Sequence, residues 1–262
     1  MISVIVKSSR TFVSFRFGLQ RGFGERAPNG LPTDMKLLPG HLQEVGYSTH
    51  MLGKWHLGHC HASYTPTLRG FHTFLGSYSG ATDHWTREGG ARRQRGYDLR
   101  NGTCVTEHGS GELSSELYTD LAVDLIHNMR ASQQPHFLYL AFTMIHSPFQ
   151  DVTKKYAKQK NVSKKLRDGM IKALDEAVGR ILNVVDDNTV LVFMSDNGGR
   201  NYAAEGIQPN LPLRGGKTEL YEGGTRVLGY IQGPGMRRGA EYGGMMHMVD
   251  WLPTLLSLAG GQ

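Results

Sequence analysis

The sequence has little cysteine, no long apolar run and no dense block of basic residues. Its two cysteines, Cys60 and Cys104, are too few for a disulfide framework and form no metal-type pair. No stretch approaches the roughly 18 apolar residues of a membrane-spanning helix. The 29 Lys and Arg residues are scattered, without zinc-finger spacing or an RNA-binding motif. These absences argue against a disulfide scaffold, a membrane-spanning protein and a nucleic-acid-binding protein.

The composition fits a globular enzyme with an anionic partner. The 262 residues, 39% of them hydrophobic, suffice for one large domain or two modest ones with a sizeable core. The net charge of +6 favours anionic partners, although a merely soluble surface is an equal alternative.

Two N-glycosylation acceptor sequences, beginning at Asn101 and Asn161, are typical of a secreted or lysosomal protein. The apolar run at the N-terminus ends at Lys7, too early for a signal peptide, so none is predicted in this chain. A fragment of a mature protein or a misassigned start would reconcile the two observations.

Hydrophobic periodicity predicts alternating strands and helices. Apolar residues three or four apart predict helices over 112–129 and 164–185, whereas continuous apolar runs at 137–142 and 190–194 predict strands buried on both faces. Weaker signals predict a helix from Thr33 to about Val45 disturbed by Pro39, a strand within 47–57, a third strand at 227–231 and a closing helix over 250–258. Residues 76–112 lack periodicity and are predicted to form a long surface excursion.

This alternation predicts an α/β fold with a largely parallel sheet, whose sites gather beyond the carboxyl ends of its strands. Asp196 and Asn197 directly follow a predicted buried strand and precede two glycines. Their carboxylate and amide oxygens suit calcium or magnesium, and the glycines allow a sharp turn. An ordinary Asx turn is the alternative interpretation.

Basic residues recur in similar positions. Lys54 and His56 would share one face of an extended segment, where they could hold an anion and protonate a leaving group. His146 lies a few residues beyond a predicted strand, and glycines precede Lys217. The alternative for each histidine is a structural role. Lys217 does not belong to a phosphate-binding P-loop, because Leu211 occupies the position of the required first glycine.

Seven segments, in this order, resemble the sulfatases, most closely the arylsulfatase B (N-acetylgalactosamine-4-sulfatase) type that acts on sulfated sugars. They are 46–58 (GYSTHMLGKWHLG), 69–71 (RGF), 146–148 (HSP), 195–199 (SDNGG), 213–217 (LRGGK), 221–226 (YEGGTR) and 250–254 (DWLPT). The resemblance runs from about Phe15 to the C-terminus and leaves residues 1–14 unrelated. It implies an alkaline-phosphatase-like three-layer fold, incomplete in this chain, and a lysosomal or secreted location.

The resemblance also implies a chemistry. Sulfatases attack the sulfate of a sulfated carbohydrate or aryl sulfate with a formylglycine made from a cysteine in Cys-x-Pro/Ala-Ser-Arg, assisted by Ca2+. It assigns metal binding to Asp196 and Asn197, and sulfate binding to Lys54 and Lys217. His56 would help handle the formylglycine, and His146 would protonate or orient the leaving oxygen.

The sequence departs from the family pattern in its first part. The formylglycine motif, the paired aspartates and the strand that carries them are expected before Phe15 and are not recognisable there. Cys60 begins a near match that has Tyr64 where arginine belongs, and both cysteines are better explained as former disulfide positions. We therefore expect an N- and C-terminally truncated, inactive sulfatase domain. A sulfatase-fold protein that binds sulfated sugars without catalysis and a phosphodiesterase of the same architecture are the alternatives.

Overall fold

The computed structural model describes residues 2–6, 23–24, 26–89, 95–152, 164–201 and 208–261, with backbone alone for 2–6 and 164–165. The strands are β1 (Ile2–Val6), β2 (Ser48–Lys54), β3 (Thr73–Ser77), β4 (Glu88–Gly89), β5 (Gly96–Tyr97), β6 (Arg100–Asn101), β7 (Cys104–Val105), β8 (His136–Ala141), β9 (Val190–Met194) and β10 (Gly229–Gln232). The helices are α1 (Leu38–Glu44), α2 (Ser114–Ala131), α3 (Lys164–Leu182), α4 (Glu222–Thr225) and α5 (Trp251–Leu258).

An eight-stranded sheet forms the centre, in the order β10-β9-β1-β8-β2-β3-β6-β7. The five strands from β9 to β3 are parallel, whereas β10 and the β6–β7 pair are antiparallel additions at the two edges. The predicted α/β class with a largely parallel sheet is confirmed. Strands β4 and β5 form a separate antiparallel pair.

Helices cover both faces of the sheet and make three layers. Alternate side chains of β8 point to opposite faces of the sheet. Phe137 packs in the cluster that includes Leu42 of α1 and Leu255 of α5. Leu138 packs on the opposite face with Ile126 of α2 and Ile181 of α3. Both faces of β8 are therefore buried, as its unbroken apolar run predicts.

The position of β1 corrects one prediction. We expected the family's N-terminal strand to be missing, yet Ile2–Val6 lies between β8 and β9 and is parallel to both. The run is short and apolar, so periodicity alone does not separate it from other short apolar runs. The residues after this strand begin Lys7-Ser8-Ser9-Arg10 and carry no paired aspartates.

The predicted surface excursion at 76–112 is also wrong, because many of its described residues up to Leu99 are buried. Arg87 and His84 are each 1% exposed, and Leu99 is completely buried. Arg87 Nη2 donates to the carbonyl oxygen of Glu112 at 2.8 Å. Hydrogen bonds of polar side chains to the backbone hold this segment inside, and an apolar pattern does not reveal such contacts.

Helix ends differ from prediction in ways that follow from local chemistry. Helix α1 begins at Leu38 rather than near Thr33, because Pro39 lies in its first turn, where its missing N–H costs nothing. The strand predicted at 227–231 is the exposed antiparallel strand β10.

Among the described residues, no helix is both long and apolar enough to cross a bilayer.

Candidate active site

The parallel strands bring the predicted site residues to one edge of the sheet. Phe193, Ile5, Leu140 and Leu52 lie side by side across β9, β1, β8 and β2. The segments that follow β9, β8 and β2 therefore leave the sheet at the same level. Neighbouring strands are roughly 4.8 Å apart, so the carboxyl ends of β9 and β2, which have β1 and β8 between them, are about 14 Å apart. This edge is where an open α/β sheet places its ligands.

The turn that carries the expected metal ligands is fixed by its backbone. Ser195 Oγ donates to the carbonyl oxygen of Asn197 at 2.9 Å, and Gly198 N donates to Gly224 O at 3.0 Å. Asn197 Nδ2 donates to Gly198 O at 2.8 Å, which leaves the amide oxygen of Asn197 for a cation. Asp196 and Asn197 are both half-buried.

Lys217 is held beside this turn. Its backbone N–H donates to the carbonyl oxygen of Gly199 at 3.0 Å. Asn210, which the sequence did not suggest, ties the two segments together: it accepts from Gly199 N at 2.8 Å, and its Nδ2 donates to Gly199 O at 2.7 Å and Gly215 O at 3.1 Å. Hydrogen bonds between distant segments thus join the backbone of Lys217 to Gly199, at the end of the turn that carries Asp196 and Asn197.

Lys54 ends β2 and His56 follows it, but their arrangement differs from the sequence prediction. Lys54 ends the strand with only 6% of its surface exposed. His56 has φ of 57°, so the segment is not extended there and the argument that the two side chains share one strand face is wrong. His56 Nε2–H donates to the carbonyl oxygen of Phe23 at 2.9 Å. His56 therefore lies beyond the strand end.

His146 follows β8 within a tight loop. Its backbone N–H donates to Thr143 O at 2.9 Å, and its Nδ1 lies 2.8 Å from Ser147 O. Since a carbonyl oxygen only accepts, His146 carries its proton on Nδ1 in this arrangement. The carbonyl oxygen of His146 accepts a hydrogen bond from His84 Nε2 at 3.1 Å. The sequence did not single out His84, because no motif includes it.

The donor chemistry fits part of a calcium site. Asp196 and Asn197 offer hard oxygen ligands of the type that Ca2+ prefers, but Ca2+ takes six to eight such ligands. Within the described ranges, no group of three or more His, Cys, Asp or Glu side chains is placed to hold a metal ion. These two residues would therefore form only a fraction of the coordination sphere.

The remaining sequence features are exposed or lie outside the described residues. Cys60 and Cys104 are exposed free thiols. Asn101 is exposed in β6 at a surface turn, whereas Asn161 falls outside the part of the chain that the structure describes.

Comparisons with known proteins agree with this arrangement. The family model described as Sulfatase matches residues 6–261. Mouse arylsulfatase J is 37% identical over 246 residues, covering 90% of this chain and 40% of that protein. Mouse N-acetylgalactosamine-6-sulfatase is 31% identical over 256 residues, covering 88% of this chain and 46% of that protein. The chain thus spans less than half the length of these relatives.

Solved structures show the same fold. Ps i-CgsB superposes with a TM-score of 0.84 at 28% identity, covering 96% of this chain and 59% of that one. A second structure of Ps i-CgsB, in complex with k-i-k-neocarrahexaose, also gives 0.84, at 23% identity, and covers 100% of this chain and 72% of that one.

Proposed function

The chain belongs to the sulfatase family, and from this we propose that it forms the substrate-binding part of an enzyme that hydrolyses sulfate esters of sugars. The observation that carries the proposal is the common carboxyl edge of β2, β8 and β9. It gathers Lys54, His146 and the Asp196–Asn197 turn, with Lys217 bonded to that turn. Two cations, an imidazole and two oxygen ligands for a metal ion suit the sulfate group of an ester, whose three terminal oxygens share one negative charge.

Each residue has a role that its chemistry supports. Lys54 and Lys217 neutralise the sulfate oxygens, and the burial of Lys54 strengthens its attraction by removing water. His146 would protonate or orient the leaving oxygen, and His56 would help handle a formylglycine supplied from outside residues 1–262. Asp196 and Asn197 would hold Ca2+, which supplies Lewis-acid stabilisation of negative charge.

The formylglycine nucleophile does not fit the residues of this chain. No Cys-x-Pro/Ala-Ser-Arg occurs in its 262 residues, and Cys60, the start of the near match, is an exposed thiol beyond β2. We therefore derive no attacking step from residues 1–262. We expect this polypeptide by itself to bind sulfated sugars without appreciable turnover of an aryl sulfate.

For the substrate we propose a glycosaminoglycan sugar, with N-acetylgalactosamine 4-sulfate, the substrate of the arylsulfatase B type, as the first choice. The motif order resembles that type, and a relative named N-acetylgalactosamine-6-sulfatase supports the same sugar with sulfate at another position. We further propose a lysosomal or secreted location, which the exposed acceptor Asn101 supports. If the chain is expressed through a secretory pathway, its apparent mass on a gel should decrease after glycosidase digestion.

The second candidate function is a sulfated-sugar-binding protein without catalysis. The missing nucleophile motif favours it, since both lysines would still bind the anion. A sulfatase whose nucleophile is supplied by further coding sequence would contain an in-frame upstream exon encoding paired aspartates and Cys-x-Pro-Ser-Arg. Transcripts that lack such an exon would favour the binding protein.

Calorimetry tests the binding site directly. Residues 1–262 should bind N-acetylgalactosamine 4-sulfate more tightly than the 6-sulfate, and unsulfated N-acetylgalactosamine should not compete. Lys217→Ala should weaken binding about tenfold or more, whereas Lys172→Ala, on the exposed face of α3, should leave it unchanged. Equal affinity for sulfated and unsulfated sugar would refute the proposal. Aryl sulfate turnover that Lys217→Ala abolishes would refute the expected lack of catalysis.

A further inference from the structure

His84 lies at the point where three separate segments meet, and its side chain is almost fully buried. Its Nε2 lies 3.1 Å from the carbonyl oxygen of His146. Its Nδ1 lies 3.0 Å from Ser114 Oγ at the start of α2 and 3.4 Å from Thr143 Oγ1 after β8. The imidazole thus bridges helix α2 and the loop that carries His146.

The partners fix the protonation of this ring. The carbonyl oxygen of His146 only accepts, so the proton of a neutral His84 lies on Nε2. Its Nδ1 is then an acceptor, which the Ser114 hydroxyl satisfies as donor. A buried imidazole with both nitrogens engaged keeps one orientation, because turning it would leave buried polar atoms without hydrogen-bond partners.

The backbone of His84 is itself anchored. Its N–H donates to Gln150 Oε1 at 2.9 Å, and Gln150 Nε2 donates to Asp83 Oδ2 at 2.9 Å. Its carbonyl oxygen accepts from Ser114 N at 2.9 Å and from the guanidinium of Arg87. The imidazole is therefore a rigid donor aimed at the His146 loop from the segment before β4.

We infer that His84 is a positioning residue for His146: its Nε2–H bond to the His146 carbonyl oxygen holds the loop so that Nδ1–H of the His146 ring keeps donating to Ser147 O. The inference rests on the proposed function for its consequence, since His146 is the residue expected at the leaving oxygen. When Nδ1 carries the fixed proton of the His146 ring, Nε2 is the nitrogen that can gain and release a proton at the leaving oxygen.

Ring nitrogen shifts of His146 in residues 1–262, assigned by their loss in His146→Gln, provide the direct readout. Wild type should show the Nδ1–H tautomer. His84→Phe should shift the ring towards the Nε2–H tautomer and weaken N-acetylgalactosamine 4-sulfate binding about tenfold. His84→Gln places an amide N–H near the former Nε2 and should restore both. The exposed His127→Phe on α2 is the matched control and should change neither.

A His146 spectrum unchanged by His84→Phe, or a His84→Gln variant no better than His84→Phe, would overturn the inference. If His84→Phe does not fold, His84→Asn decides, because it keeps a partner for Ser114 but does not reach His146, and it should reproduce the tautomer change. Wild type that binds no sulfated sugar would contradict the proposed function alone, since the tautomer still reports on His84.

Discussion

A Cβ atom on Gly198 would lie 1.8 Å from the carbonyl oxygen of Gly223. The Asp196–Gly199 turn therefore packs directly on the segment at the start of α4, and only a glycine permits this approach. Two segments more than twenty residues apart in sequence are held at contact distance, and the backbone N–H of Lys217 donates to Gly199 O in the first of them. The contact sets the position of the expected metal ligands relative to the expected sulfate ligand.

Gly198→Ala should consequently damage the site as well as the fold. The backbone must move to admit the methyl group, so we expect a loss of about 1–3 kcal/mol in the free energy of unfolding. Sulfated-sugar binding should fall by at least tenfold, because Lys217 and the Asp196 turn separate. Urea denaturation and calorimetry measure the two effects. Gly179→Ala in α3 is the control, since its Cβ meets open space, and it should stabilise the helix by about 1 kcal/mol. Equal behaviour of the two variants would contradict this account.

Asp98 should be a structural carboxylate of the buried segment. Its Oδ1 accepts from Tyr78 N at 3.2 Å and its Oδ2 from Ser79 N at 2.7 Å. Asp98→Ala would leave both buried N–H groups unsatisfied, so the free energy of unfolding should fall by about 2–4 kcal/mol. The exposed Asp124→Ala on α2 should change it by less than about 0.5 kcal/mol. Similar denaturation midpoints for the two variants would show that the Asp98 contacts contribute little.

His50 predicts a dependence of stability on pH. Burial, with help from neighbouring His136 and His72, lowers the pKa of His50 from 6.5 to about 4. Between these values the unfolded chain binds a proton that the folded protein does not, so stability falls as pH drops from about 6.5 to about 4 and levels off below. The maximum contribution is about 3 kcal/mol. His50→Gln should flatten this part of the curve, leaving the contribution of His136, whose pKa burial also lowers. An unchanged slope in His50→Gln would assign the effect elsewhere.

Calcium binding to residues 1–262 should be weak. Asp196 and Asn197 supply two protein oxygens, so water would have to complete most of the coordination sphere. Calorimetry should give a Kd in the millimolar range or weaker. Asp196→Ala should weaken the binding further, whereas Asp187→Ala, on the exposed turn before β9, should leave it unchanged. Tight stoichiometric binding would mean that ligands beyond these two residues complete the site.

The sequence by itself determined the local elements with a strong apolar pattern. Strands β8 and β9 and helices α2 and α3 lie close to their predicted positions, because burial of a strand on both faces or of one helix face leaves a direct mark on residue order. The Asp-Asn-Gly-Gly turn and the family motifs could also be recognised from the sequence, because each consists of residues that are neighbours in the chain.

Only the tertiary structure decided what depends on contacts between distant segments. The central place of β1 follows from pairing with β8 and β9, more than 130 residues away. The burial of Arg87 and His84 depends on hydrogen bonds to backbone groups of other segments, and polar residues with such partners look like surface residues in a sequence. For the same reason the sequence named His146 and Lys217, but the side chains that hold them in place, His84 and Asn210, emerged only from the fold.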